Sequence, residues 1–109
     1  MTITISASDF ELTAPIRQYV EEKFSGLEKY THDILMMEVF LKRETNHHQK
    51  GDVYSCIVNV DIPGSLVRIE KSQDDLYKAI DTARDHLRET LAQHKERKVE
   101  QRQTGDSTL

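Results

Sequence analysis

"VYSCIVNVDIPGSLVRIEKS", residues 53–72, decides the fold. Tyr54, Cys56, Val58, Val60 and Ile62 alternate with Ser55, Ile57, Asn59 and Asp61, the period-two pattern of a strand with one apolar face. Pro63-Gly64 is a turn signal. After it the alternation resumes, with Val67 and Ile69 on one face and Leu66, Arg68 and Glu70 on the other. Two alternating runs joined by so short a connection predict a β-hairpin.

Beyond the hairpin the period changes. "SQDD", Ser72–Asp75, resembles a capping box and puts acids at a helix start, where the macrodipole favours them. Leu76, Ile80, Ala83, Leu87 and Leu91 then recur at helical spacing, predicting an amphipathic helix to about Arg102. The polar end, "QTGDSTL", is expected to be a disordered tail, so the domain is placed at residues 1–98 and the helix end and tail at 99–109.

The same reading extends towards the N-terminus. In "ILMMEVFLKRE", Ile34–Glu44, the residues Leu35, Met37, Val39 and Leu41 alternate with Met36, Glu38, Phe40 and Lys42, predicting a third strand. "TNHHQKGD" is a polar loop. "ELTAPIRQYVEEKFSGLEKY", residues 11–30, predicts a helix with Thr13 as N-cap and Pro15 in the first turn. Ile16, Val20, Phe24 and Leu27 form its apolar stripe, and Gly26 weakens it by about 1 kcal/mol relative to Ala. "TITIS", Thr2–Ser6, is a short strand. The order is β-α-β-β-β-α. Two helices with one apolar stripe each are most economically laid on one face of a four-stranded sheet, an α+β two-layer sandwich whose other face is partly open.

A chain of 109 residues with 37% hydrophobic and 31% charged residues is one polar domain with a modest core. "MTITISASDF" has neither the basic nor the apolar region of a signal peptide, and no apolar run approaches the length of a membrane span. A single cysteine, Cys56, excludes an internal disulfide and suits a reducing cytoplasm. A net charge of −4 argues against a protein that coats nucleic acid indiscriminately.

That charge makes one alignment conspicuous. In the second helix Tyr77, Arg84, Arg88 and Lys95 fall within roughly 20° of one line, at about 100° per residue. The line flanks the apolar stripe, towards a neighbouring element. In the first helix Arg17 and Lys23 flank the stripe on opposite sides and Lys29 points further out. Side-by-side helices would gather cations on one ridge able to contact phosphates, with Tyr77 stacking on a base or donating to a phosphate. The alternative is a solvated face, because Asp81 and Asp85 each stand three residues before an arginine, the spacing of local ion pairs.

Other chemistries find little support. His47-His48, with His32 and Cys56 elsewhere, has no metal-ligand spacing. Cys56 lies mid-strand on the apolar face, where a thiol acts as a small hydrophobe. Glu21-Glu22 and Asp74-Asp75 read as helix-surface acids, and no phosphate loop or nucleophile elbow is present. No enzyme, metal, cofactor or small-molecule substrate is expected.

"LTAPIRQYVEEKFSGLEKY", residues 12–30, and "DDLYKAID", residues 74–81, resemble the ribosome hibernation promoting factor family, which includes protein Y, the ribosome-associated inhibitor A; an older name is sigma-54 modulation protein. The likeness covers about residues 1 to 98. It implies a β-α-β-β-β-α fold similar to a double-stranded-RNA-binding domain, and a non-catalytic protein. Such a protein would occupy the mRNA and tRNA channel of the small ribosomal subunit, contact ribosomal RNA and silence translation in stress or stationary phase. The chain looks like a short form, without the dimerisation domain of long members. By resemblance Arg17, Lys23 and Lys29 match basic positions of the family's first helix, and Tyr77, His94 and Lys95 match its second. Gly26, His86, Glu89 and Gln93 stand where relatives usually carry a cation, and Arg84 and Arg88 lie beside lost positions. A protein–protein interaction module that acts on transcription machinery through the open sheet face is the competing reading.

Overall fold

The computed structural model describes residues 2–30, 34–45 and 51–107, apart from the side chains of Glu28, Tyr30 and the residues from Lys95 onward. Strand β1 (Thr2–Ser8) is followed by helix α1 (Ala14–Ser25) and a 3-10 turn (Gly26–Tyr30). Strands β2 (Met36–Thr45), β3 (Asp52–Ile62) and β4 (Ser65–Gln73) come next, then helix α2 (Leu76–Ser107). The element order is the expected one.

The sheet has four strands in the order β1-β2-β3-β4. β1 runs parallel to β2, as a strand reached through a helical crossover can, and the other pairs are antiparallel. The register turns the sequence alternation into cross-strand rows. Ile5, Val39, Val58 and Ile69 are successive partners, and Ile3, Met37, Val60 and Val67 form the row beside them. Met37, Val39, Val58 and Val60 are fully or almost fully buried, so these rows form the floor of the core. Pro63 and Gly64 turn the chain between the paired residues Ile62 and Ser65. Gly64 has φ +78°, the left-handed conformation that a type II turn requires after proline.

The roof comes from Val20, Phe24 and Leu27 on one side and Leu76, Ala79, Ile80, Ala83, Leu87 and Leu91 on the other, all buried in one cluster with the sheet residues. Both helices therefore cover one face. Ile16 is only partly buried, at the edge of that cluster. Cys56 lies in the floor at 0% exposure, and burial pushes its thiol up to about 12. It acts as a small hydrophobe.

Local details depart from the sequence reading. Helix α1 ends at Ser25, and Gly26 caps it with φ −70°, so the chain tightens into a 3-10 turn instead of continuing the α-helix. The cap of α2 is Asp75, not Ser72. Asp75 Oδ1 accepts hydrogen bonds from the backbone N–H groups of Tyr77 (2.7 Å) and Lys78 (3.2 Å). Ser72 belongs to β4, where its hydroxyl lies 2.8 Å from that of Ser55 on the paired strand. Leu35 precedes the β2 ladder and is 60% exposed, while Ile34 occupies the buried position instead. Helix α2 continues to Ser107, beyond Arg102, through Gln-Thr-Gly-Asp-Ser, which the sequence reading assigns to the tail.

Candidate nucleic-acid interface

Because α1 and α2 lie side by side, the flanks of their apolar stripes meet in a groove. The first residue to define it is Tyr19, one position before the buried Val20 and hence on the shoulder of the stripe. Its ring packs edge-on against Tyr77 of α2, with centroids 4.7 Å apart and planes at 86°. Its hydroxyl donates a 2.6 Å hydrogen bond to Asp81 Oδ1, also on α2. Desolvation, the hydrogen bond and the charge of Asp81 push the Tyr19 phenol up to about 12, because each disfavours the phenolate. Lys23, one turn further along α1, stands 5.3 Å from the Tyr19 ring centroid and 3.8 Å from Asp81 Oδ1. Its ammonium thus rests on an aromatic face beside a carboxylate.

One turn along α2 the pattern repeats with different partners. Asp85 Oδ1 lies 2.9 Å from Arg84 Nε and 3.9 Å from an Arg88 terminal nitrogen. The shorter contact is close but off the N–H direction, so Arg84 Nε is buried without a hydrogen-bond partner. Arg84 is the more covered of the two arginines, with 25% side-chain exposure against 45% for Arg88.

The expected ridge is therefore assembled in part. Lys23 and Tyr77 come together at the α1–α2 groove, and Arg84 and Arg88, joined through Asp85, continue the line along α2. Tyr77 is 43% exposed, with one side of its ring set against Tyr19. Arg17 is exposed on α1, outside this group, and Lys29 is exposed on the 3-10 turn, which packs against α2. His94 is half-buried, and the side chain of Lys95 lies outside the described residues. His86, Glu89 and Gln93 line the exposed side of α2. His32, His47 and His48 also lie outside the described residues.

The sequence reading missed Tyr19 altogether and misassigned Asp81. The i, i+3 spacing suggests an Asp81–Arg84 pair, but Asp81 turns across the groove to Tyr19 and Lys23. The one available signal was the placement of Tyr19 beside a stripe residue, which marks a shoulder position but not its partner. Electrostatically, the groove is a row of cations interleaved with carboxylates, able to offer ammonium and guanidinium groups to phosphate oxygens.

The opposite sheet face has another character. Thr4, Ser6, Glu38, Phe40, Ile57, Asn59 and Arg68 line a shallow open depression there. Leu66, 70% exposed, and Met36, 40% exposed, are both register partners of Asp61 at one end of that face.

Fold and groove define a small α+β domain with one apolar-floored layer of helices and an ionic seam between them. A family model described as "Sigma 54 modulation protein / S30EA ribosomal protein" matches residues 3–99. The chain belongs to that family. A ribosome hibernation promotion factor of Deinococcus radiodurans is 37% identical over 102 residues, 93% of this chain and 52% of the relative, so the chain spans about half of that protein's length. A ribosome hibernation promoting factor of Pseudomonas putida is 34% identical over 97 residues, 89% of both chains. The crystal structure of the Thermus thermophilus Protein Y N-terminal domain superposes with a TM-score of 0.71 at 34% identity, covering 85% of this chain and 94% of that one. A ribosomal subunit interface protein from Coxiella burnetii shares the fold, with a TM-score of 0.71 at 21% identity.

Proposed function

We propose that this chain is a non-catalytic, cytoplasmic ribosome-binding factor that silences translation during stress or stationary phase. It acts by occupying the mRNA and tRNA channel of the small subunit, with the α1–α2 groove against ribosomal RNA. The observation that carries the reading is the family match over residues 3–99, joined to relatives of similar length named for ribosome hibernation.

The geometry supports a mechanism of occlusion. Lys23 presents charge at the groove and Arg84 and Arg88 continue it along α2, while Arg17, Lys29, His94 and Lys95 join the candidate contact set through the family resemblance. Each phosphate neutralised releases counterions, so binding weakens with salt by somewhat under one log–log unit per contact. The protein needs no turnover in this role: it stands where template and tRNA would stand, and salt or a release factor removes it. Tyr77, 43% exposed and in contact with Tyr19 across the groove, contributes through the part of its side chain left to solvent. Phosphates fixed in a folded ribosomal RNA can meet several of these cations at once.

The test is sedimentation of the purified chain with small ribosomal subunits at graded salt. The reading predicts co-sedimentation at low salt and release as salt rises. A protein that stays in the supernatant at every salt concentration contradicts it. The exposed Leu66 and Met36 on the open sheet face favour a second reading, a protein–protein module acting on transcription machinery. That reading predicts recovery with the transcription apparatus rather than with ribosomes.

A further inference from the structure

Helix α2 carries two carboxylates one helical turn apart on the flank of its apolar stripe, and they are held differently. Asp81 is anchored: Tyr19 donates a 2.6 Å hydrogen bond to it from the other helix, and Lys23 lies 3.8 Å away. Asp85 is 53% exposed and, among the described residues, has only ionic contacts to neighbours on its own helix, one of them off the hydrogen-bond direction. Its oxygen lies between two guanidinium groups, where an anionic oxygen of a ligand would also lie. An acceptor aligned with the Arg84 N–H would satisfy a buried donor that Asp85 leaves unpartnered.

We infer that Asp85 is an exchangeable internal counter-anion: it holds Arg84 and Arg88 in the free protein and yields them to a phosphate of bound RNA, whereas Asp81 stays in place. The inference rests on the reading of the groove as an RNA-facing surface and adds a gate to it. A phosphate must displace Asp85 to reach both arginines. Isolated phosphates on flexible RNA compete poorly with a carboxylate tethered to the same helix. Phosphates held in a rigid array displace it more readily, because other contacts already place them. Asp85 is thus a specificity residue that lowers affinity for RNA in general.

Asp85→Asn tests this, with Glu38→Gln as a control of equal charge change. Glu38 is exposed on the open face of the sheet, away from the helices. Salt at physiological strength screens charges beyond about 8 Å, so the control should shift binding by less than about twofold. Binding is measured on a fluorescent oligouridylate and on small ribosomal subunits over a salt series. Removing a charge within contact range of two arginines should tighten oligouridylate binding by about three- to tenfold. The log–log salt slope should steepen by up to about one unit, and the gain on subunits should be smaller. Equal shifts for the two variants, or Asp85→Asn binding no tighter than wild type, overturn the inference. Failure of the wild type to bind subunits overturns the ribosome reading instead, and the oligouridylate comparison still decides the role of Asp85.

Discussion

Replacing Tyr19 with Phe removes one oxygen and leaves the ring contact with Tyr77 intact. The lost group is the donor of a 2.6 Å hydrogen bond to the Asp81 carboxylate, the only hydrogen bond that crosses from α1 to α2 among the described residues. A hydrogen bond to an ionised acceptor contributes about 1.5–3 kcal/mol. Tyr19 is half-buried, which places the expected loss near the lower end, about 1.5 kcal/mol. For a domain of this size that corresponds to a fall in thermal midpoint on the order of 6–12 °C. Urea denaturation followed by circular dichroism at neutral pH gives the free energy directly. A cycle with Asp81→Asn should return a coupling of about 1 kcal/mol or more.

The pH dependence supplies an independent check. The unfolded phenol ionises near pH 10 and the folded one at about 12. Between those values the unfolded chain gives up the proton while the folded chain keeps it. The wild type's extra stability is therefore complete below pH 10 and is lost as pH rises through 12. Phe has no such proton, so the gap between wild type and Tyr19→Phe should narrow across that window. A loss below about 0.5 kcal/mol at neutral pH, or a gap that stays constant up to pH 12, refutes the account of the groove.

Leu87→Ala should cost about 2–5 kcal/mol in urea denaturation, because Leu87 has no exposed surface and sits between helix and sheet. Gly26→Ala should be neutral or stabilise by up to about 1 kcal/mol in the same assay: φ is −70° and an added Cβ meets nothing within 4 Å. Tyr77→Phe should weaken subunit binding by about 0.5–1.5 kcal/mol at nearly unchanged stability if the hydroxyl donates to a phosphate. Tyr77→Ala should also lower the thermal midpoint, since it removes the ring packed on Tyr19.

The sheet and both helix stripes were legible because burial on one face imposes a period that local sequence must carry. The hairpin residues Tyr54 to Ile62 and the α2 residues Leu76 to Leu91 show this directly, and the buried residues follow the two periods. End effects were less legible. Ser72 and Asp75 are both good capping residues, and the choice between them depends on how far β4 stays paired with β3, a tertiary matter. Leu35 fits the strand alternation but lies outside the ladder, where alternation no longer determines burial. At the groove, the line of Tyr77, Arg84 and Arg88 could be drawn from helical geometry alone. The partnership of Tyr19 with Asp81 could not, because it joins residues 62 positions apart and competes with a plausible local pair.

The central claim is that the helix layer, not the sheet face, meets ribosomal RNA in the channel of the small subunit. A density map of the chain bound to small subunits tests it directly, even at a resolution that shows only helices and sheet. The account predicts density in the mRNA and tRNA channel, with α1 and α2 turned to RNA and the face carrying Phe40 and Ile57 turned away. Density outside the channel, or the sheet face laid against the subunit with the helices in solvent, would contradict it.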